Sequence, residues 1–146
     1  MKLLITSDIH GALDRLEKVR LKHQDIDYHL DAGDICLDQH DYQKYHISTV
    51  KGNNDFYSDA PYHRILKLDD ITVLLTHGHI EHVKASKVNL MRLADVHQAD
   101  LIIYGHTHKR DLQIDQQKTI LNPGALGDYQ KSYAIYDNGQ ITFYEL

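Results

Sequence analysis

Five times along the chain, a short apolar run ends in a glycine-bearing cluster of side chains with an affinity for metal. Asp8-Ile9-His10-Gly11 follows Lys2–Ser7, Gly33-Asp34 follows Tyr28–Ala32, and Gly52-Asn53-Asn54-Asp55 follows His46–Lys51. His77-Gly78-His79 follows Ile71–Thr76, and Gly105-His106-Thr107-His108 follows Leu101–Tyr104. Apolar runs this short suit buried strands. In α/β folds the ends of such strands converge on one crevice, where ligands bind. The polar groups must then surround something that satisfies them, since burying them unpaired is costly.

The rest of the chain fills in around these strands. Ala12–Gln24 carries Leu13, Leu16, Val19 and Leu21 at helical spacing. Lys84–Gln98 reads as a second helix, with Val88, Met91, Leu93, Ala94 and Val96 as its apolar set. Tyr62–Leu68 and Ile71–Thr76 flank Asp69-Asp70, a hairpin turn. The tail is strand-like at Leu112–Asp115, Thr119–Leu121, Tyr133–Tyr136 and Ile141–Tyr144, with Asp137-Asn138-Gly139 as a type I′ hairpin signal. The front therefore reads as βαβ with parallel strands and the back as antiparallel β. Two mixed β-sheets packed as a sandwich flanked by helices accommodate both. With 146 residues, two prolines, eight glycines and no repeat, nothing marks a boundary, so a single domain over residues 1–146 is expected.

Composition narrows the function. The net charge of −5 argues against a large nucleic-acid footprint. No apolar run approaches the ~20 residues of a membrane helix, and the N-terminal run stops at Ser7-Asp8, too early for a signal peptide. A cytoplasmic protein without membrane contact is the expectation. The one cysteine, Cys36, excludes an internal disulfide and reads as a small buried hydrophobe.

Carboxylate, amide oxygen and imidazole together suit divalent manganese, iron, zinc, cobalt or nickel. Singly, each cluster is no more than a turn or surface pair; five of them at strand exits in one chain make a metal site. In Asp8-x-His10 and His106-x-His108, alternate residues of an extended segment point the same way. Curvature would send them to two neighbouring ions instead.

The ordered set D-x-H, G-D, G-N-x-D, H-G-H and G-H-T-H, then Asn122-Pro123-Gly124, resembles the calcineurin-like metallophosphoesterase superfamily, and within it the small bacterial and archaeal phosphodiesterases. The resemblance runs from Met1 to about Gly127. It implies a four-layer α/β/β/α fold with a dinuclear centre. Asp8, His10 and His108 would hold one ion, Asn53, His77 and His106 the other, and Asp34 would bridge them. Manganese is the first expectation, with iron, zinc, nickel or cobalt as alternatives. The implied activity is hydrolysis of phosphodiesters, with monoesters in second place. Two ions ~3.5–4 Å apart would share a hydroxide, formed because metal binding lowers the pKa of water toward ~7, and it would attack phosphorus. Asn53 would also turn its NH2 toward the phosphate.

The sequence departs from the superfamily at Asn54, where many members carry a histidine thought to protonate the leaving group. An amide does not titrate usefully, and the related small phosphodiesterases often have cysteine there. His79 is the nearest other proton donor, with a structural role as its competing reading. Asp55 reads as a brace or turn cap. Lys109 and Arg110 could meet a phosphate but read more simply as solvated charge, and the histidines outside the motifs, His29 among them, as surface or strand residues. Asp38–Tyr45 is polar, a loop or short helix near the pocket. The partner expected is a small phosphodiester or phosphate ester; nucleic acid is disfavoured, and dimers or larger homo-oligomers are allowed. The alternative is a non-catalytic, protein-binding scaffold like the retromer subunit that resembles this family, a reading that Asn54 favours and the full ligand set opposes.

Overall fold

A computed structural model describes all 146 residues. Ten strands form two five-stranded mixed sheets. The first contains β1 (Lys2–Thr6), β2 (Tyr28–Asp31), β3 (Ser48–Thr49), β9 (Ser132–Asp137) and β10 (Gln140–Glu145), in the order β10-β9-β1-β2-β3. The second contains β4 (His63–Leu68), β5 (Ile71–Thr76), β6 (Leu101–Ile103), β7 (Arg110–Asp115) and β8 (Lys118–Pro123), in the order β4-β5-β6-β8-β7. Strands β1, β2 and β3 run parallel, as do β5, β6 and β8.

The central strands read as unbroken apolar runs because both of their faces are covered. Leu3 and Ile5 of β1 face Val73 and Leu75 of β5 and Leu101 and Ile103 of β6 in the core between the sheets. The alternate residue Leu4 packs outward on Leu16 and Val19 of α1 (Leu13–Lys22). Leu74 and Ile102 pack outward on Leu90 and Ala94 of α3 (Val88–Val96). The layers are therefore helix, sheet, sheet, helix.

Several expectations change. Leu21 is 70% exposed and lies off the buried face of α1. α3 starts at Val88, not Lys84, because residues 79–85 are taken up by turns in which Val83 N–H bonds back to the Gly78 carbonyl. With that start, Leu90 and Ala94 face the sheet, while Val88 (53%) and Val96 (76%) are exposed. β3 is two residues long rather than six, because residues 50–54 curl toward Asp34. The tail is not wholly antiparallel: β8 pairs parallel with β6, and the chain then crosses to the first sheet as β9, which lies antiparallel to β1. Asp38–Tyr45 forms a short helix, α2 (Gln39–Tyr42), and a 3₁₀ turn. The Asp137–Gly139 turn has positive φ at Asn138 (48°) and Gly139 (93°), as a type I′ hairpin requires. No helix is long and apolar enough to cross a membrane.

Candidate metal centre

The exits of β1, β2, β5 and β6 meet at one edge of the sandwich. Asp8 is fully buried there. Its Oδ2 accepts from Ser7 Oγ (2.6 Å) and from the His106 backbone N–H (3.1 Å). Its Oδ1 has no hydrogen-bond partner. Around that oxygen stand His108 Nε2 at 3.3 Å, His10 Nε2 at 3.5 Å and His77 Nε2 at 3.9 Å. Asp34 Oδ2 lies 3.4 Å from His77 Nε2 and 3.8 Å from His10 Nε2. Asn53 Oδ1 is 2.9 Å from His77 Nε2.

The loops reach these positions by an unusual backbone. Asp8, His10, Asp34, His106 and His108 all have positive φ, between 49° and 68°. Asp8-x-His10 and His106-x-His108 are therefore curled, not extended, and the simple alternation argument does not apply to them. Left-handed residues other than glycine cost roughly 1 kcal/mol each and persist where surroundings enforce them. Close approach enforces them here. A Cβ on Gly52 would lie 2.1 Å from Asp34 Oδ1, and one on Gly105 1.9 Å from Ser7 Oγ.

The donor chemistry fits metal ions. His77 Nδ1 donates to the Ala32 carbonyl at 2.7 Å, which leaves Nε2 to present its lone pair to the carboxylates and to Asn53 Oδ1. His10 Nε2 and His108 Nε2 face each other at 3.3 Å in the same way. Opposed lone pairs beside a buried, unpartnered carboxylate oxygen need a cation among them. Without an ion, protons take that part. Burial opposes charge on His77, but Asp34 and Asp8 raise its pKa above the usual value, and the bond to Asp8 does the same for His10. Burial opposes ionisation of Asp34 too, yet His77 and Asn54 hold its carboxyl well below the usual range. His106 is lowered to about 4, by burial first and then by the charges of His77 and Lys84.

Asp8, His10 and His108 form one compact group, and Asp8, Asp34 and His77 another, each with its ligand atoms within 4.8 Å. Asn53 joins through His77. The ring of His106 lies 5.0 Å from that of His77. Asn54 sits directly on Asp34: its backbone N–H meets Oδ1 and its side-chain amide meets Oδ2, both at 2.8 Å. His79 stands behind His77, ring centroids 5.4 Å apart, with a buried Nδ1 that has no partner. Asp55 accepts the backbone N–H groups of Asp34, Gly52 and Cys36, and so ties two of the loops together.

Other residues emerge only from the structure. Asp128 Oδ2 lies 3.2 Å from His108 Nδ1 and orients that ring. Asn122 is fully buried and its amide holds the Gly105 carbonyl and Thr107 Oγ1, fixing the last loop. Asp128 carries no sequence signal; Asn122 belongs to the ordered motif set, but its part in fixing the last loop shows only in the structure. Cys36 is not buried: it is exposed on the rim, Sγ 3.9 Å from His10 Nδ1. Its left-handed backbone (φ 51°) turns it out, and partial desolvation together with the nearby Asp55 and Asp34 carboxylates pushes its thiol up to about 12. His29 is buried, bonded to Thr6 Oγ1 at 2.9 Å. Arg110 is committed to Ser132 Oγ and the Tyr144 carbonyl, while Lys109 stays exposed.

The calcineurin-like phosphoesterase superfamily domain matches residues 1–140. The chain is 30% identical to the probable metallophosphoesterase YsnB of Bacillus subtilis, covering 99% of this chain and 91% of that protein. It is 25% identical to the phosphodiesterase YfcE of Escherichia coli, covering 97% and 90%. A Streptococcus pneumoniae protein described as a predicted phosphoesterase superposes with TM-score 0.88 at 26% identity, covering 99% and 88%. Vps29 of Entamoeba histolytica shares the fold, with TM-score 0.80 at 21% identity over 100% and 98%.

Proposed function

The chain belongs to the calcineurin-like phosphoesterase superfamily, and from that premise we propose that it is a dinuclear metal-dependent phosphodiesterase that also acts, less well, on monoesters. The observation that carries the reading is the fully buried Asp8 Oδ1, partnerless among three imidazole nitrogens. In this reading Asp8, His10 and His108 hold one ion, Asn53, His77 and His106 a second, and Asp34 lies between. Manganese is the first choice, with iron, zinc, nickel and cobalt compatible with the same donors. Bound there, the ions supply Lewis acidity and a water acidic enough to attack phosphorus near neutral pH.

The protein's own groups do the rest. Ala32 O and Asp128 fix the tautomers and planes of His77 and His108. Asn54 acts as a positioning residue, its two bonds setting the plane of the Asp34 carboxylate; its side-chain amide is far too weak an acid to protonate a leaving group. Asn53 turns its NH2 toward a phosphate oxygen. His79, beside Asn53 at the edge of the site, is the donor to the leaving oxygen. Burial and the neighbouring His77 lower its pKa. A small diester suits the site better than nucleic acid, given the net charge of −5.

The test is turnover of bis(p-nitrophenyl) phosphate by metal-stripped protein reconstituted with manganese. Asp34→Asn is expected to lose at least about 100-fold in kcat/KM and one equivalent of bound metal by calorimetry, with its melting in chelator little changed. Full activity in that variant overturns the reading. So does a parent inert with every divalent ion; a tight protein partner in that case would mark a scaffold.

A further inference from the structure

A second feature adjoins the metal centre and has no part in the chemistry above. A cavity of about 620 Å³ opens on the far side of Cys36 and Asn54, which both line it. Cys36 Sγ touches His10 and Asn54 bonds Asp34, so the cavity begins one side chain away from two of the proposed metal ligands. An ester arm on a bound phosphate would extend into it.

Its lining has a definite chemistry. Asp38, Asp41 and Asp59 line the wall, and none of them is paired with a lysine or arginine. Asp41 has only the exposed His40, at 3.9 Å. The one cation in the wall, Arg64, gives its Nε–H to the Thr49 carbonyl at 2.7 Å. Three aromatic rings share the same space: Tyr42 is half-buried, while Phe56 (74%) and Tyr57 (101%) are left in water. Large exposed rings beside unpaired carboxylates are what a desolvating cation uses, through charge and through the negative ring faces.

The geometry points to this cavity as the subsite for one arm of the substrate diester, selecting an alcohol with a cationic head, an amine or quaternary ammonium, and rejecting an anionic one. The assignment rests on the phosphodiesterase reading for the arm's attachment, and on the cavity alone for its charge. An acidic wall beside the metal centre also repels the flanking phosphates of a nucleic-acid strand, so the selectivity runs against polyanions.

The experiment uses p-nitrophenyl phosphodiesters whose second arm is choline, ethanol or glycolate, with the manganese-loaded protein. Bis(p-nitrophenyl) phosphate in parallel reports on the phosphodiesterase reading itself. The expected kcat/KM falls in the order choline, ethyl, glycolate, with about tenfold or more between the extremes. In the Asp38→Asn/Asp41→Asn/Asp59→Asn variant that ratio should collapse toward one. Independently of turnover, tetramethylammonium added to metal-free protein should shift backbone amide resonances of residues 36–60, and should not do so in the triple variant. Equal use of all three arms, a ratio unchanged in the variant, or no shift with tetramethylammonium overturns the assignment. If bis(p-nitrophenyl) phosphate is not cleaved, the phosphodiesterase reading falls, and the tetramethylammonium titration still decides whether the cavity binds cations.

Discussion

His79 illustrates how a single side chain can be placed without its role being exhausted by placement. Its Nδ1 is buried and unpartnered, and its ring lies 5.7 Å from Tyr62 and 6.1 Å from His106. A donor there matters in proportion to how poor the leaving group is. His79→Gln is therefore expected to slow hydrolysis of alkyl phosphodiesters about 100-fold, and that of p-nitrophenyl esters, whose leaving group needs little protonation, by about threefold or less. Equal losses on both would make His79 a structural residue. At the same scale, the residue types of the centre were legible because each sat at a strand exit beside a glycine. The left-handed backbone of Asp8, His10, Asp34, His106 and His108 was not, since those types adopt positive φ without any sequence mark. Cys36 was misjudged for the same reason: the turn at φ 51° throws outward a side chain that burial statistics place inside.

The elements β1, β2 and β3 are joined by a polar chain as well as by their ladders. Thr6 Oγ1 donates to Asp31 Oδ2 (2.7 Å) and Thr49 Oγ1 to Asp31 Oδ1 (2.9 Å), with His29 on Thr6. Asp31 also accepts the Gly33 N–H, which sets the turn that delivers Asp34. Burial lifts the Asp31 carboxyl to about 7, and burial drops His29 to about 3. The signs are opposite. Asp31 binds its proton more tightly folded than unfolded, so its contribution to stability is whole below its ordinary pKa and is lost as pH rises through about 7. The His29 contribution is present above its ordinary pKa and is lost as pH falls toward about 3. Asp31→Asn isolates one of them: in chelator, the stability of the parent minus that of the variant should fall as pH is raised from about 4 to about 7. A difference that stays flat in urea titrations across that range contradicts it. The strands themselves were legible from their apolar runs. The phase of α3 was not, because the turns before it, pinned by Glu81 on Thr76, shift the start of the helix and with it the face that Leu90 presents. Nor was the parallel pairing of β8 with β6, a contact that no local pattern encodes.

For the molecule as a whole, the candidate metal centre is a joint between the two sheets. Asp8 and Asp34 come from the first, His77, His106 and His108 from the second. Ions held there as proposed would bind only the assembled sandwich and stabilise it by mass action, about 2.7 kcal/mol at 100 times Kd. For a chain of this length that corresponds to about 5–10 °C in Tm. Manganese added to stripped protein should raise the melting temperature by that much and chelator should reverse it; a melting curve indifferent to manganese would mean the joint is closed without it. The joint is also fastened by backbone. Leu126 and Gly127 donate their N–H groups to the carbonyls of Ser7 and Asp8, the loop before β9 reaching back to the exit of β1. Asp8 and the segment that closes over it therefore lie far apart in sequence. The proposed site around Asp8 closes only when this long-range contact has formed. Metal retention would in that case report that two distant stretches of the chain have met.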